Sequence, residues 1–172
     1  REHAMAAMGN GMVLYGGLKP YVATFFVFTD FLKPMARLSS IMGTPLTYVL
    51  THDSIGVGED GPTHEPIEQL SMMRAQPNFI TFRPADGVET MAGWAVAMTA
   101  KSAPTALVLS RQNLPQLEGS SKDAVKGGYI ISDADKVDVI LIATGSEVAL
   151  ALDSKVELEK EGLGVRVVSM PS

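Results

Sequence analysis

The chain has 172 residues, of which 46% are hydrophobic and 19% are charged, and its 14 basic and 19 acidic residues give a net charge of -5. This acidic balance, without a Lys/Arg-rich run, argues against a nucleic-acid-binding protein. The absence of Cys excludes disulfides and thiolate metal sites. No apolar run approaches the roughly 18–20 residues that span a bilayer. The chain opens with Arg1 rather than Met and shows no signal peptide, so we expect a cytoplasmic piece of a larger protein, with no membrane or nucleic-acid partner.

Helical and extended patterns alternate along the first 50 residues. An Ala/Met-rich segment predicts a helix over residues 3–16, and the β-branched and aromatic run over 21–28 predicts a strand. We expect Asp30 to be the N-cap of a helix that runs to Met42. The apolar residues 46–50 predict a second strand.

The alternation continues to residue 110. Asp86 and Glu89 form a predicted capping box, in which each side chain accepts from an amide at the start of the helix. The predicted elements are a Gly-rich loop over 51–64, a helix over 66–75, a strand over 79–82, a helix over 86–100 and a strand over 105–110. Apolar strands separated by helices indicate an α/β fold with a mainly parallel sheet that helices cover on both faces.

Three parts of the chain differ in composition. Residues 1–115 are predicted to form the α/β domain, and 116–136, which are polar and Gly-rich, to form a linker in which 129–131 could add a short strand. Residues 137–172 are predicted to form a strand, a helix capped by Ser146, and a strand. Because two strands and one helix bury too little surface to be stable alone, we expect this last part to be an incomplete domain or to rest on other chains.

Candidate functional residues follow the predicted strands. Parallel sheets bind ligands beyond the carboxyl ends of their strands, so residues there are expected to share one edge. They are Phe28, Asp30 and Phe31 after the first strand; His52, Asp53, Glu59, Asp60 and His64 after the second; and Arg83, Arg111 and Gln112 after the later strands.

The loop over 51–64 allows several interpretations. Gly56, Gly58 and Gly61 match G-x-G-x-x-G, but Glu59 and Asp60 would repel a pyrophosphate, so we reject a dinucleotide site. A plain flexible loop and a metal site remain open, although the spacing of the His and Asp residues fits no common zinc pattern. The third interpretation is a polar pocket for a hydroxylated, phosphorylated substrate, in which Arg111 would bind the phosphate.

Two further features have alternative interpretations. Phe25, Phe26, Phe28 and Phe31 form an aromatic cluster at a strand end, which is either core packing or a stacking wall for a flat heteroaromatic ring. Glu2, beside an apolar helix, is either an exposed first-turn carboxylate or a desolvated carboxyl group.

Several segments together resemble the transketolase family. They are Arg1-Glu2 before the Ala/Met-rich helix, the loop ending Glu-Asp-Gly-Pro-Thr-His64, Arg83-Pro-Ala-Asp-Gly-Val-Glu89, Leu109-Ser-Arg-Gln-Asn-Leu-Pro115, Ala143-Thr-Gly-Ser-Glu147 and Val168-Ser-Met-Pro-Ser172. Residues 1–115 resemble the pyrimidine-binding (Pyr) domain, and residues from 137 resemble the start of the C-terminal domain. The resemblance implies a thiamine-diphosphate enzyme that moves a two-carbon ketol unit from a ketose phosphate to an aldose phosphate in the pentose phosphate pathway.

The resemblance also implies roles for individual residues. Glu2 would hydrogen-bond N1′ of the cofactor's aminopyrimidine and so promote loss of the thiazolium C2 proton. His64 would contact the donor sugar near its carbonyl group and would also be catalytic. The remaining implied roles are a cofactor wall of Phe25, Phe28 and Phe31, where relatives more often have Tyr at position 31, and substrate binding by His52, Asp60, His64 and Arg111.

The family's diphosphate-binding domain has no counterpart in this sequence. The resemblance implies that this separate domain holds the diphosphate and its Mg or Ca ion, so we expect no metal ligands in this chain. It also implies a homodimer formed through the Pyr domain, and an inactive chain when the other domain is absent. Alternatives with the same fold are a 1-deoxyxylulose-phosphate synthase and a 2-oxoacid dehydrogenase β-subunit; an alternative from another class is a non-catalytic assembly module.

Overall fold

The computed structural model describes residues 1–172, which form two compact units. The first unit comprises residues 1–82 and 94–113, and the second comprises residues 83–93 and 114–172. One helix, α4 (Gly87–Thr99), therefore contributes its first turns to the second unit and the rest to the first.

A four-stranded parallel sheet forms the centre of the first unit. Its strands are β1 (Tyr21–Phe25), β2 (Thr47–Thr51), β3 (Ile80–Phe82) and β4 (Thr105–Val108). They stand in the order β1-β2-β4-β3, and every neighbouring pair is parallel. The predicted mainly parallel α/β fold is thus confirmed. The other helices of this unit are α1 (Glu2–Tyr15), α2 (Thr29–Met42) and α3 (Gln69–Arg74).

Two predicted details around β1 are wrong. The strand predicted over residues 21–28 ends at Phe25, and Phe26–Phe28 form a single 3-10 turn that leads directly into α2. Asp30 is not the N-cap of α2: that position is Phe28, which has no capping side chain. Asp30 instead accepts a hydrogen bond from Gln69 Nε2 at 3.1 Å, because the strand ends three residues earlier than its pattern suggested and the N-cap lies two residues earlier.

A buried polar cluster ties α1 and α2 to β2. Ser39 Oγ lies 2.6 Å from Asn10 Oδ1 and 2.7 Å from the Tyr48 hydroxyl, and Thr44 Oγ1 donates to Asn10 Oδ1 at 2.9 Å. Burial raises the pKa of Tyr48 to about 12, although the hydrogen bond with Ser39 acts in the opposite direction. Because each of these groups has a partner, the cluster fixes the packing of the helices without leaving unpaired donors.

The second unit has a mixed three-stranded sheet. Its strands are β5 (Tyr129–Ser132), β6 (Val139–Ala143) and β7 (Val165–Ser169). They stand in the order β5-β7-β6; β6 and β7 are parallel, and β5 is antiparallel to β7. Two of its elements, a 3-10 helix (Lys122–Lys126) and β5, lie within the range predicted as a linker. The unit also contains the helix α5 (Glu147–Lys160).

Buried carboxylates attach the start of α4 to the rest of this unit. Glu89 is fully buried and accepts from Ala85 N–H at 2.7 Å, from Tyr129 Oη at 2.9 Å and from Ser169 Oγ at 2.6 Å. Asp86 caps the helix by accepting from Glu89 N–H at 3.0 Å. The predicted capping box is therefore present, except that Glu89 reaches the amide of Ala85, one residue further back.

Arg83 makes the corresponding contact to α5. Its guanidinium, which is 5% exposed, pairs with Glu147 and donates to Thr144 O at 2.8 Å. Burial is the largest single influence and opposes ionisation of Glu147, but the hydrogen bonds from Arg83 and Ser146 and the charge of Arg83 together outweigh it, so the pKa of Glu147 lies below its ordinary value. Ser146 is the N-cap residue as predicted but makes no capping hydrogen bond, since its hydroxyl lies 2.7 Å from Glu147 Oε1 instead.

Candidate active site at the carboxyl edge of the parallel sheet

Five rings lie together at the carboxyl edge of the parallel sheet, and we call them the ring cluster: Phe25, Phe28, Phe31, His52 and His64. The imidazole of His52 stacks on Phe25, with ring centroids 3.6 Å apart and an interplanar angle of 18°. The ring of Phe28 lies edge-on to His64 at 5.4 Å and tilted against Phe31 at 6.0 Å. The structure thus brings together three predicted wall residues and two predicted substrate ligands, which the chain separates by up to 39 positions.

Strand geometry explains why these rings meet. Phe25 and Thr51 are register partners at the ends of β1 and β2, so the residues that follow them emerge side by side. Phe26, the aromatic residue that points the other way, is 1% exposed and belongs to the core. The aromatic segment therefore divides into one core ring and three rings on the edge, of which Phe31 remains 59% exposed.

His52 has an unusual backbone conformation. Its φ is 62°, in the left-handed region that residues with a Cβ rarely occupy, which costs of order 1–2 kcal/mol. Strain of this kind persists only where the surroundings enforce it, and here the imidazole is held by Phe25 on its face. No residue pattern around His52 indicates this backbone conformation.

Each histidine is also held by the threonine that precedes it. His52 Nδ1 lies 2.9 Å from Thr51 Oγ1, and His64 Nδ1 lies 2.8 Å from Thr63 Oγ1. In both pairs the contact engages Nδ1 and leaves Nε2 as the nitrogen available to a ligand. Sequence reasoning missed these threonines, although the Thr-His pair occurs twice in the loop.

The loop between the two histidines is more ordered than its composition indicates. A 3-10 helix covers Ile55–Asp60, and Ser54 caps it by accepting from Gly56 N–H at 3.2 Å. Val57 is fully buried and anchors the segment. Gly58, with φ 77° and ψ -122°, breaks the turn in a conformation that only glycine adopts readily. This break leads to Asp60, which is exposed at the end of the segment.

The remaining predicted residues lie on elements that reach the same edge. Arg111 is exposed three residues beyond β4, which is the neighbour of β2 in the sheet. Glu2 begins α1, whose other end connects through residues 16–20 to the amino end of β1, so Glu2 lies toward the carboxyl edge. The side chain of Glu2 is 16% exposed, so it is mostly shielded from solvent and does not fit the interpretation as an exposed first-turn carboxylate.

Other possible sites are separate from this edge. No group of three or more His, Cys, Asp or Glu side chains is arranged to hold a metal ion. A cavity of about 580 Å³ lies between α2 and the segment after α3, where it is lined by Lys33, Arg37, Gln76 and Asn78 and by none of the predicted site residues. No helix has both the length and the apolar character needed to cross a bilayer.

A parallel α/β domain with aromatic rings and imidazoles at the carboxyl edge places the chain in a class of proteins in which ligand sites lie beyond the strand ends. Comparison with known proteins then gives the family. The family model for the transketolase pyrimidine-binding domain matches residues 1–116, and the model for the transketolase-like C-terminal domain matches residues 127–172. The chain therefore belongs to the transketolase family.

Individual relatives agree with this assignment. The chain is 57% identical to a transketolase from Halalkalibacterium halodurans over 177 residues, covering all of this chain and 27% of the relative. It superposes with a TM-score of 0.97 and 51% identity on a Pichia stipitis transketolase variant in complex with fructose 6-phosphate, covering 99% of this chain and 26% of that one. A structure described as a split-gene transketolase, an inactive beta4 tetramer, matches with a TM-score of 0.83, 29% identity and 55% of its length. The chain thus spans about a quarter of the length of the curated relatives it matches.

Proposed function

We propose that this chain forms part of an enzyme that transfers a two-carbon ketol group from a ketose phosphate to an aldose phosphate with thiamine diphosphate as cofactor. The observation that carries the proposal is the ring cluster, in which an aromatic wall and two imidazoles with available Nε2 atoms occupy one edge of the sheet. The alternatives with the same fold and other chemistry are not favoured by any relative reported above.

The aromatic wall fits the planar aminopyrimidine of that cofactor. One face of Phe25 is already covered by His52, so Phe28 and the exposed Phe31 are the rings that offer a surface for stacking. When bound, the cofactor supplies the carbanion equivalent that accepts and releases the ketol unit. In this proposal the divalent ion that accompanies the diphosphate would be held by protein outside this chain, as the family resemblance implies.

Glu2 is the proposed catalytic carboxylate toward the pyrimidine N1′. Its position at the start of α1 and its low exposure keep the carboxylate largely out of water, which strengthens a hydrogen bond to a ring nitrogen. By holding a proton at N1′, Glu2 would orient the ring and set its tautomer. General acid–base assistance of this kind contributes about 10²–10⁴ to a rate.

The proposed substrate ligands are His52, Asp60, His64 and Arg111. Imidazole Nε2 atoms and a carboxylate bind sugar hydroxyls, and the guanidinium of Arg111 is suited to the phosphate. The contact of His64 with the wall at Phe28 supports a role for this histidine at the reacting end of the sugar. The complex of the Pichia stipitis relative with fructose 6-phosphate supports a sugar phosphate as the ligand class.

We further propose that the chain pairs with a second copy through the first unit and is inactive without the remaining part of the enzyme. The outer face of α1 supports the pairing, because Met8 and Leu14 are each 61% exposed and Tyr15 is 90% exposed. The relative described as an inactive tetramer matches all of this chain, which supports the proposal that the chain is inactive without the remaining part of the enzyme.

Complementation tests the proposal. The chain is combined with the remaining polypeptide of a 57% identical relative, and ketol transfer between sugar phosphates is measured with and without thiamine diphosphate. We expect transfer only when the chain, the complementing polypeptide and the cofactor are all present, and a loss of at least about 100-fold for Glu2→Ala. Glu118→Ala, at an exposed position, is the control.

Three outcomes would contradict the proposal. Full activity of Glu2→Ala in the complemented enzyme would remove the role given to Glu2. Ketol transfer by the isolated chain would refute its dependence on the missing part. A discrete oligomer that ignores thiamine diphosphate and sugar phosphates even after complementation would favour the non-catalytic assembly module.

A further inference from the structure

The segment after β4 contacts the loop that carries the two histidines. A Cβ built on Gly56 would lie 2.6 Å from Gln112 Oε1 and 2.9 Å from Gln112 Cδ. Real Cβ atoms do not approach other atoms so closely, so the amide of Gln112 lies flat against the bare Cα of Gly56. The φ of Gly56 is outside the left-handed region, so glycine is needed here for space rather than for its conformational freedom.

Both partners of this contact are anchored to the sheet. On one side, Gly56 N–H donates to Ser54 Oγ, and the adjacent Val57 is fully buried. On the other, Ser110 Oγ donates to Gln112 O at 2.9 Å, and Leu109 N–H continues the pairing with β2. The contact therefore links two fixed points rather than two mobile ones.

The stability of the amide itself does not explain its position. Gln112 Oε1 is buried without a hydrogen-bond partner, which costs about 1–3 kcal/mol. An exposed glutamine would avoid this cost by extending into water. The amide of Gln112 thus packs against Gly56 although its oxygen lacks a hydrogen bond there. A buried polar atom without a partner is rare in folded proteins and calls for a functional reason.

We propose that Gln112 is a positioning residue, which acts through Gly56 to fix the distance between Arg111 and the loop over residues 52–64. This rests on the proposed function, in which Arg111 binds the substrate phosphate and the loop binds its hydroxyls. A sugar phosphate separates those two groups by a fixed length of carbon chain, so both ends bind well only when the two protein segments are held at a matching distance.

The test is a double-mutant cycle in the complemented enzyme. Gly56→Ala forces the amide of Gln112 away, Gln112→Ala removes it, and the double variant combines both changes. Gly87→Ala is a matched control, because its Cβ would meet only the amide oxygen of Gln116 at an ordinary 3.5 Å. Values of KM and kcat are measured for a ketose phosphate and for the same ketose without phosphate, with thermal unfolding measured in parallel.

We expect Gly56→Ala to raise KM for the ketose phosphate about tenfold and Gln112→Ala about threefold, with kcat changed by less than about twofold. The double variant should resemble Gln112→Ala, because the clash is gone. The ketose without phosphate should show smaller changes, and Gly87→Ala should match the parent enzyme.

Additive losses in the double variant, or equal losses for both substrates, would overturn the inference. An inactive parent enzyme would refute the proposed function instead. In that case, dissociation constants for the ketose phosphate are measured in place of KM for the parent, Gly56→Ala, Gln112→Ala and the double variant. The inference then requires that these constants change in the same pattern as expected for KM. A parent that does not bind the ketose phosphate overturns the inference as well.

Discussion

Glu89→Gln is the sharpest test of how the second unit is held together. The substitution keeps the size of the side chain and replaces one carboxylate oxygen by an amino group. In the structure one oxygen of Glu89 accepts from Ala85 N–H, and the other accepts from the hydroxyls of Tyr129 and Ser169. The carboxylate is fully buried, so water cannot replace a lost partner.

Either orientation of the new amide leaves a donor without an acceptor. If the amide oxygen remains toward the two hydroxyls, the amino group faces Ala85 N–H, and two donors meet. If the amide is flipped, the amino group faces the hydroxyls, whose own protons then lose their acceptor. A buried unsatisfied donor costs about 1–3 kcal/mol, so we expect the free energy of unfolding to fall by about 2 kcal/mol.

Urea unfolding followed by circular dichroism measures this loss, and hydrogen exchange at the amide of Ala85 locates it. We expect faster exchange in Glu89→Gln and an unchanged rate in the exposed control Glu118→Gln. Tyr129→Phe should cost less in the Glu89→Gln background than in the parent, because the two residues share a hydrogen bond. Stability within about 0.5 kcal/mol of the parent would refute the reasoning, since only surface substitutions are that mild.

Three further predictions follow from individual contacts. Tyr48→Phe should weaken the loss of stability at alkaline pH, because the raised pKa of about 12 for Tyr48 favours the neutral hydroxyl in the folded state. In the parent, about 2–3 kcal/mol of the free energy of unfolding is present below pH 10 and disappears between pH 10 and 12. The variant should not show this loss, which urea unfolding at a series of pH values measures. Glu147→Gln should lower the free energy of unfolding by about 1 kcal/mol at pH 7, a small value because solvent screens a side chain that is 51% exposed. Because the pKa of Glu147 is lowered in the folded state, this stability is present above about pH 4.5 and is lost as the pH falls. The stabilities of parent and variant should therefore converge in acid, and a difference that stays constant with pH would contradict the role of Arg83. Phe25→Leu removes the ring that holds His52 in its left-handed conformation, so KM for the ketose phosphate should rise about tenfold in the complemented enzyme, whereas an unchanged KM would separate the stack from substrate binding.

The sequence predicted most of the elements of the first unit because their patterns are local. Apolar β-branched runs gave β1, β2 and β4 to within a few residues, and the capping box at Asp86 marked the start of α4. The errors occurred where the chain changes conformation without a change in composition. Phe25 to Phe28 are uniformly aromatic and β-branched, yet the strand ends after Phe25, because the residues that follow must turn over the sheet edge to start α2.

The candidate site was predictable in outline and not in its internal contacts. The rule that ligands bind at the carboxyl ends of parallel strands is enough to group the phenylalanines with the two histidines before any coordinates are known. No local pattern indicates that His52 stacks on Phe25 or that Gln112 packs on Gly56, because each contact joins segments far apart in sequence. The left-handed backbone of His52 is equally invisible, because the stack on Phe25 is what enforces it.

The sequence by itself determined the fold class, the membership in a family and the residue types at the sheet edge, since strand and helix patterns and motif identities are properties of neighbouring residues. Only the tertiary structure decided that residues 83–93 belong with the C-terminal segment, through the carboxylates of Glu89 and Asp86. A buried carboxylate is stable only where several donors converge on it, and in this chain those donors come from positions up to 80 residues away.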